Sequence, residues 1–236
     1  MKKYELTEET IVKNGHTLHR IRATISFDSV SDGELGGYIE KEENLSHDGN
    51  AWVSGNAWVS SNAQVYGNAR VSSNARVSGD AQVYGNARVS GDAQVYGNAR
   101  VSGNAWVSSN AQVSSNARVS GDAQVYGNAR VSGDAQVYGN AQVYGNARVY
   151  GDARVYRIDH LLAIGPCGSR NGFTTFFRGK DREIIVKCGC FLGTIDAFLT
   201  KVSDTHGDNK HAQVYRAAAE LAKVQIDLSG DGNHQP

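Results

Sequence analysis

The chain has 236 residues, with 24 Lys and Arg against 24 Asp and Glu, so its formal net charge is zero. That balance argues against general nucleic-acid binding and against acidic DNA mimicry, and the length suits one extended repeat domain with small end modules rather than two large cores. All three cysteines lie from Cys167 onward, and Met1-Lys2-Lys3-Tyr4-Glu5-Leu6 leads into no apolar run, so a cytoplasmic protein without signal peptide or membrane span is expected.

Residues 3 to 23 read as a hairpin, because Ile11-Val12 and Thr17-Leu18 flank Lys13-Asn14-Gly15-His16 and Asn-Gly favours a tight primed turn. Gly33, Gly36 and Gly37 then mark a bend. Ile39 and Leu45 stand six apart, whereas Leu45 to Val53 is eight, which predicts that the first coil begins here with a two-residue bulge. Residues 1–50 are therefore expected to be a β cap that covers a sheet edge and the end of a core.

From Ala51 to Tyr156 a unit Ala-x-Val-Ser/Tyr-Gly/Ser-Asn/Asp recurs without insertion, carrying an unbroken register of valines from Val53 to Val155. The Ala-x-Val alternation is strand patterning, and the following Gly-Asn, Ser-Asn or Gly-Asp tolerates a left-handed bend. Six residues thus make one short strand and one corner, and Val with Ala inside suits a narrow, filled prism. The unit resembles the hexapeptide repeat of the bacterial transferase superfamily, which implies a three-sided, left-handed parallel β-helix. The fold expected is mainly β, a single-stranded helix of about six coils, roughly 28 Å long at strand spacing. One face is centred on Val53, Val71, Val89, Val107, Val125 and Val143, the second starts at Val59 and the third at Val65. Outward residues then stack as ladders, Arg70 on Arg88, Arg100 on Arg118, Arg130 on Arg148, Gln124 on Gln142 and Tyr66 on Tyr84. Stacked arginines repel, so such ladders do not serve stability alone.

Enzymes with this repeat usually carry a catalytic His and a protruding loop. Here no loop interrupts the units and no histidine lies between His47 and His160, leaving acyl transfer without a base. The array displays aromatics instead. Trp52, Trp58 and Trp106 precede a core valine and tyrosines such as Tyr126 and Tyr144 follow one, so all five are expected to point outward as interface candidates. The same residues also read as ordinary cover for pleated strands. The superfamily resemblance further implies a homo-oligomer, trimer or dimer, along the prism.

After Tyr156 the composition changes, and residues 157–228 read as a small α+β module followed by a flexible tail, 229–236. Ile158 to Ile164 reads as a strand, Gly165 to Gly172 as a Gly-rich loop, and Phe173 to Arg178 with Glu183 to Lys187 as a hairpin. Thr194 caps a first helix, on which Ile195, Phe198, Leu199 and Val202 form one face. A second helix from about Lys210 to Ile226 presents Val214, Ala218 and Leu221 beside Tyr215, Ala222 and Ile226.

Three stretches here are dense enough to suggest a site: Gly165-Pro166-Cys167-Gly168-Ser169-Arg170-Asn171-Gly172, Cys188-Gly189-Cys190-Phe191 and Thr205-His206-Gly207-Asp208-Asn209-Lys210. With these runs the chain resembles phage and prophage proteins that join a hexapeptide β-helix to such a terminal module, which implies a phage or prophage accessory protein in the host cytoplasm. Backbone N–H groups around Gly168 to Gly172, with Ser169, Arg170, Asn171, Arg178, Lys187 and His206, could hold an anion such as a phosphate; the loop reads equally as a hairpin turn with a solvated arginine. Cys167, Cys188, Cys190 and His206 could supply zinc ligands, but C-x-C spacing is poor for zinc and buried reduced thiols are the commoner outcome. No cofactor is expected. The sequence reads as a non-enzymatic phage accessory protein that binds a host protein, plausibly in counter-defence; the alternatives are a sponge for a phosphorylated metabolite or signalling nucleotide, and a hexapeptide-type acyltransferase.

Overall fold

The computed structural model describes residues 2–229. Alternation along Ala-x-Val buries every Ala and Val of the repeat completely and turns the residue between them away from the axis. Corners close through a residue of positive φ, glycine in most units and serine in four, Ser61, Ser73, Ser109 and Ser115. The array therefore folds into eighteen two-residue strands, β4 (Trp52–Val53) to β21 (Arg154–Val155), one in each six-residue unit. Val53 pairs in parallel with Val71 and Val71 with Val89, eighteen residues on each time, so three units make a turn. Three sheets result, with Val53, Val59 and Val65 each starting one face. The expected ladders form: Arg70 lies beside Arg88, Arg100 beside Arg118, Arg130 beside Arg148 and Gln124 beside Gln142, and the rings of Tyr66 and Tyr84 stack at 4.9 Å.

Before the array, β1 (Tyr4–Lys13) and β2 (His16–Ala23) form the hairpin, turning at Asn14 (φ 51) and Gly15 (φ 83) as a primed turn requires. β2 pairs with β3 (Leu35–Ile39), which pairs in parallel with β5 (Trp58–Val59), so the hairpin extends one face of the prism as antiparallel strands. Ile39 lies beside Val59 and Leu45 bridges Val65. Both partners are twenty residues on rather than eighteen, so the two extra residues fall between Leu45 and Val53. This segment adds a turn, giving a solenoid of about seven. Gly37 has no room for a side chain, since a Cβ would stand 2.5 Å from the Ala57 carbonyl oxygen.

The two ends of the rod need opposite chemistry. Outside the strand pairs themselves, amides of one coil donate to carbonyls of the next, as Trp52 N to Ala69 O and Ser54 N to Val71 O. The first coil is thus left with carbonyls to satisfy and the last with amides. Donors meet the first: Lys3 Nζ donates to Ala51 O at 2.9 Å and Gly49 O at 3.2 Å, Tyr4 OH to Leu45 O at 2.7 Å, and Asn44 Nδ2 to Ala63 O at 2.8 Å. Burial lowers the Lys3 ammonium to about 8. Acceptors meet the second: Arg148 N donates to Thr175 Oγ1 at 3.0 Å and Tyr156 N to His160 Nδ1 at 3.2 Å.

Beyond the last coil a short 3-10 turn, Ile158–His160, replaces the start of the expected strand. A four-stranded antiparallel sheet follows, β22 (Leu161–Cys167), β23 (Gly172–Arg178), β24 (Ile184–Cys188) and β25 (Phe191–Thr194), then α1 (Ile195–His206) and α2 (Lys210–Gln225). Sheet alternation gives it two apolar faces. Leu161, Ala163, Phe177 and Ile185 plug the open end of the solenoid core, while Leu162, Ile164, Phe176 and Val186 pack with the helices. Thr194 Oγ1 accepts from Ala197 N, and Asn209 Oδ1 accepts from His211 N and Ala212 N, capping the two helices. On α2 the buried face is Ala212, Tyr215, Ala218, Ala219 and Ala222, whereas Leu221 is half exposed, against the expectation that it faces the core. The expected tail lies outside the described residues except for Ser229. Among the described residues no helix is long and apolar enough to cross a membrane.

Candidate functional site

The three dense stretches, separated by up to about forty residues in sequence, converge on one cavity of about 330 Å³ between the sheet's helix-facing side and α1 with α2. Its apolar wall is aromatic. Phe198 sits between Phe191 at 5.6 Å and Tyr215 at 5.6 Å, the latter edge to face at 85°, with Phe173 on the opposite strand. Arg170, Lys201 and His206 line it as well, and among the described residues no carboxylate does. Asp208, in the turn after His206, is held by Arg216 at 2.7 Å.

Local sequence builds this arrangement. The turn from Gly168 (φ 73) to Asn171 (φ 46) is tight, with Asn171 N donating to Gly168 O at 3.4 Å. Tyr215 packs directly beneath Gly168, where a Cβ would lie 2.1 Å from the phenol oxygen, so only glycine lets the turn close over the ring. The Tyr215 hydroxyl faces Ser169 and Cys188, and burial raises its pKa, keeping the phenol protonated. Thr174 Oγ1 donates to Cys188 Sγ at 3.3 Å, and burial likewise raises the Cys167 thiol.

Of the expected anion set, Ser169, Arg170 and His206 meet at the cavity. The other members do not. Asn171 is exposed at the turn, and its amide is used to close that turn, which leaves less of a backbone cradle than the glycine run suggested. Arg178, the last residue of β23, is 1% exposed and lies over the Tyr156 ring at 5.6 Å, outside the cavity lining. Lys187 donates to Gly189 O at 2.7 Å and lies over Tyr150 at 5.5 Å. Sheet alternation explains Lys187, which shares the solenoid-facing parity of Ile185, whereas Arg178 has the parity of Phe176 but stands at the end of β23, where it reaches Tyr156 instead of the cavity. Phe191 closes one of the three dense stretches, but Lys201, Phe173, Phe198 and Tyr215 were not singled out as site residues in sequence; only the helical spacing of Lys201 from Phe198 and Thr205 could have pointed to it. Cys167, Cys188 and Cys190 with His206 do not gather as ligands: among the described residues no three His, Cys, Asp or Glu side chains are placed to hold a metal ion.

The rod contributes a second candidate. Trp106 and Tyr144 are each 48% exposed on the Val53 face, where Tyr126 stacks on Tyr144 at 5.7 Å. Trp106 Nε1 donates to Ser90 Oγ at 3.2 Å, leaving its ring face outward. Trp52 and Trp58, expected to be exposed, are buried. Tyr4 and Phe27 cover Trp52, while Leu18 and Tyr38 cover Trp58, because the hairpin lies across the outer surface of the first coils.

Fold and sites together define a parallel β-solenoid protein, closed at both ends, with a cavity-bearing α+β module. Residues 69–160 match the model of the bactofilin family, described as polymer-forming cytoskeletal. The match covers less than half of the chain and leaves out the N-terminal hairpin and nearly all of the terminal module. No curated protein matches the chain.

Proposed function

We propose that this protein is a non-enzymatic scaffold whose rods associate side by side through the Val53 face, with a second copy of the chain as the partner. The observation that carries this reading is the aromatic patch of Trp106, Tyr126 and Tyr144 on one face of the segment that resembles a polymer-forming family. Association along the axis is disfavoured by the plugs on both ends, so the sides of the prism are what remains. Acyl transfer finds no support, because the coils offer neither a histidine nor a loop to build a site. The resemblance to phage and prophage proteins supplies the setting, a host cytoplasm. With Trp52 and Trp58 under the cap, the surface left for a host protein is the same patch.

Sedimentation of the intact protein over a range of concentrations tests the reading. Trp106→Ala with Tyr144→Ala is expected to weaken self-association by about 2 kcal/mol or more, roughly 30-fold, while leaving the melting temperature unchanged. A protein that is monomeric at every concentration, or one whose association ignores both substitutions, would overturn it. Capture of a host protein that the two substitutions abolish, without self-association, would move the partner from a second copy to the host.

A further inference from the structure

We infer that the cavity of the terminal module binds a small anionic aromatic ligand, a phosphorylated nucleoside, with its flat ring against the aromatic wall and its phosphate at Arg170 and Lys201. Three observations on the cavity lead there. Its volume, about 330 Å³, falls at the small end of ligand pockets, room for one nucleotide unit rather than a peptide. The wall of Phe191, Phe198 and Tyr215 offers ring faces and edges of the kind on which every base stacks.

The charge is one-sided. Arg170 and Lys201 come from different elements, the β22–β23 turn and α1, yet line the same cavity, with no carboxylate of the described residues among its walls. Among the described residues neither forms an ion pair, unlike Arg157 and Arg216 of the same module. Arg170 lies against Gly189, where a Cβ would stand 3.6 Å from its Nη1, in ordinary contact. Two unpaired cations at the mouth of an aromatic cleft repel one another unless an anion lies between them, and a guanidinium beside an ammonium suits phosphate oxygens in particular. His206 lies 5.8 Å from Tyr215, ring to ring, and supplies a further donor on the same side. A neutral apolar ligand would leave both charges unused, and a bare phosphate would leave the aromatic wall uncovered.

Binding to the full-length protein is measured by calorimetry and by thermal shift with 5′-mononucleotides of the four bases, 3′,5′-cyclic mononucleotides and cyclic dinucleotides. Inorganic phosphate and unphosphorylated nucleosides are the controls. At least one nucleotide is expected to bind and raise the melting temperature, by an amount that grows with its concentration, while the controls bind at least tenfold more weakly. Arg170 and Lys201 are both exposed, so Arg170→Ala and Lys201→Ala leave the core untouched. Each is expected to cut affinity at least tenfold. Failure of the whole nucleotide panel to bind overturns the inference. So does equal binding of nucleosides lacking phosphate, or wild-type affinity in both variants. Neither variant touches the Val53 face, so these outcomes are separate from the fate of the rod's self-association.

Discussion

Two histidines stand at equivalent tasks at opposite ends of the rod. His47 Nδ1 accepts the Lys3 amide at 3.3 Å and His160 Nδ1 accepts the Tyr156 amide at 3.2 Å, so each must be unprotonated at that nitrogen. Burial, the leading cause, lowers both pKa values below the ordinary 6.5. Around His160, Arg157 and Arg178 lower it further against Asp159 and Asp227, and around His47, Lys2 and Lys3 act against Glu42. As pH falls through 6.5 the unfolded chain takes up these protons and the folded one does not, so stability falls with pH in that window. Denaturant midpoints are therefore expected to be level above about pH 7.5 and to drop toward about pH 5.5, and His47→Gln with His160→Gln should flatten that limb. Asparagine does comparable work along the corners. Asn50, Asn68, Asn86 and Asn104 each donate from Nδ2 to the residue one coil on, and the run ends at Asp122, which has no donor to continue it.

At the level of the coil, register is the property that matters, because every core position is Val or Ala and any coil can pack on any other. Deleting residues 75–92 removes one whole turn and keeps Trp106, Tyr126 and Tyr144 on a single face. Deleting 111–116 rotates everything after it by one face and parts Trp106 from the two tyrosines. Both variants are expected to melt close to the intact protein, but only the first should keep self-association; equal association of the two would contradict the three-sided register or the patch. This register was legible in the sequence because a strict period of six leaves one solution. The cap was legible only in part: the hairpin and the two-residue bulge could be read, but nothing local indicated that Tyr4, Phe27 and Leu18 would cover Trp52 and Trp58. In the terminal module the short Phe191–Thr194 strand was missed beside its Cys-Gly-Cys run. Arg170 and His206 could be suspected from composition, whereas Lys201, Phe198 and Tyr215 lie on helix faces whose neighbours depend on how the helices dock.

Over the whole molecule the decisive feature is that neither end of the solenoid is open. The segment that resembles a polymer-forming family shows, without its caps, carbonyls at one end and amides at the other, a complementary head-to-tail pair that closes no ring and leads to filaments. A chain ending at Tyr156 exposes the core face that Leu161 and Phe177 cover and the amides that Thr175 and His160 satisfy. With the N-terminal hairpin also removed, residues 51–156 are expected to form fibres visible by electron microscopy at concentrations where the intact protein stays soluble and unfibrous. Dispersed, monomeric fragments would mean that the plugs do not restrain axial growth.

The parallel pairing of Ile39 with Val59 also bears on how such a chain comes into being. Each coil rests on residues made eighteen positions earlier, and the hairpin and β3 leave the ribosome before the coils do. Synthesis therefore always delivers a strand to a template that is already complete, and no coil waits for a distant partner. What remains exposed at any moment is a single coil edge, and the module made after the coils is what puts it out of reach.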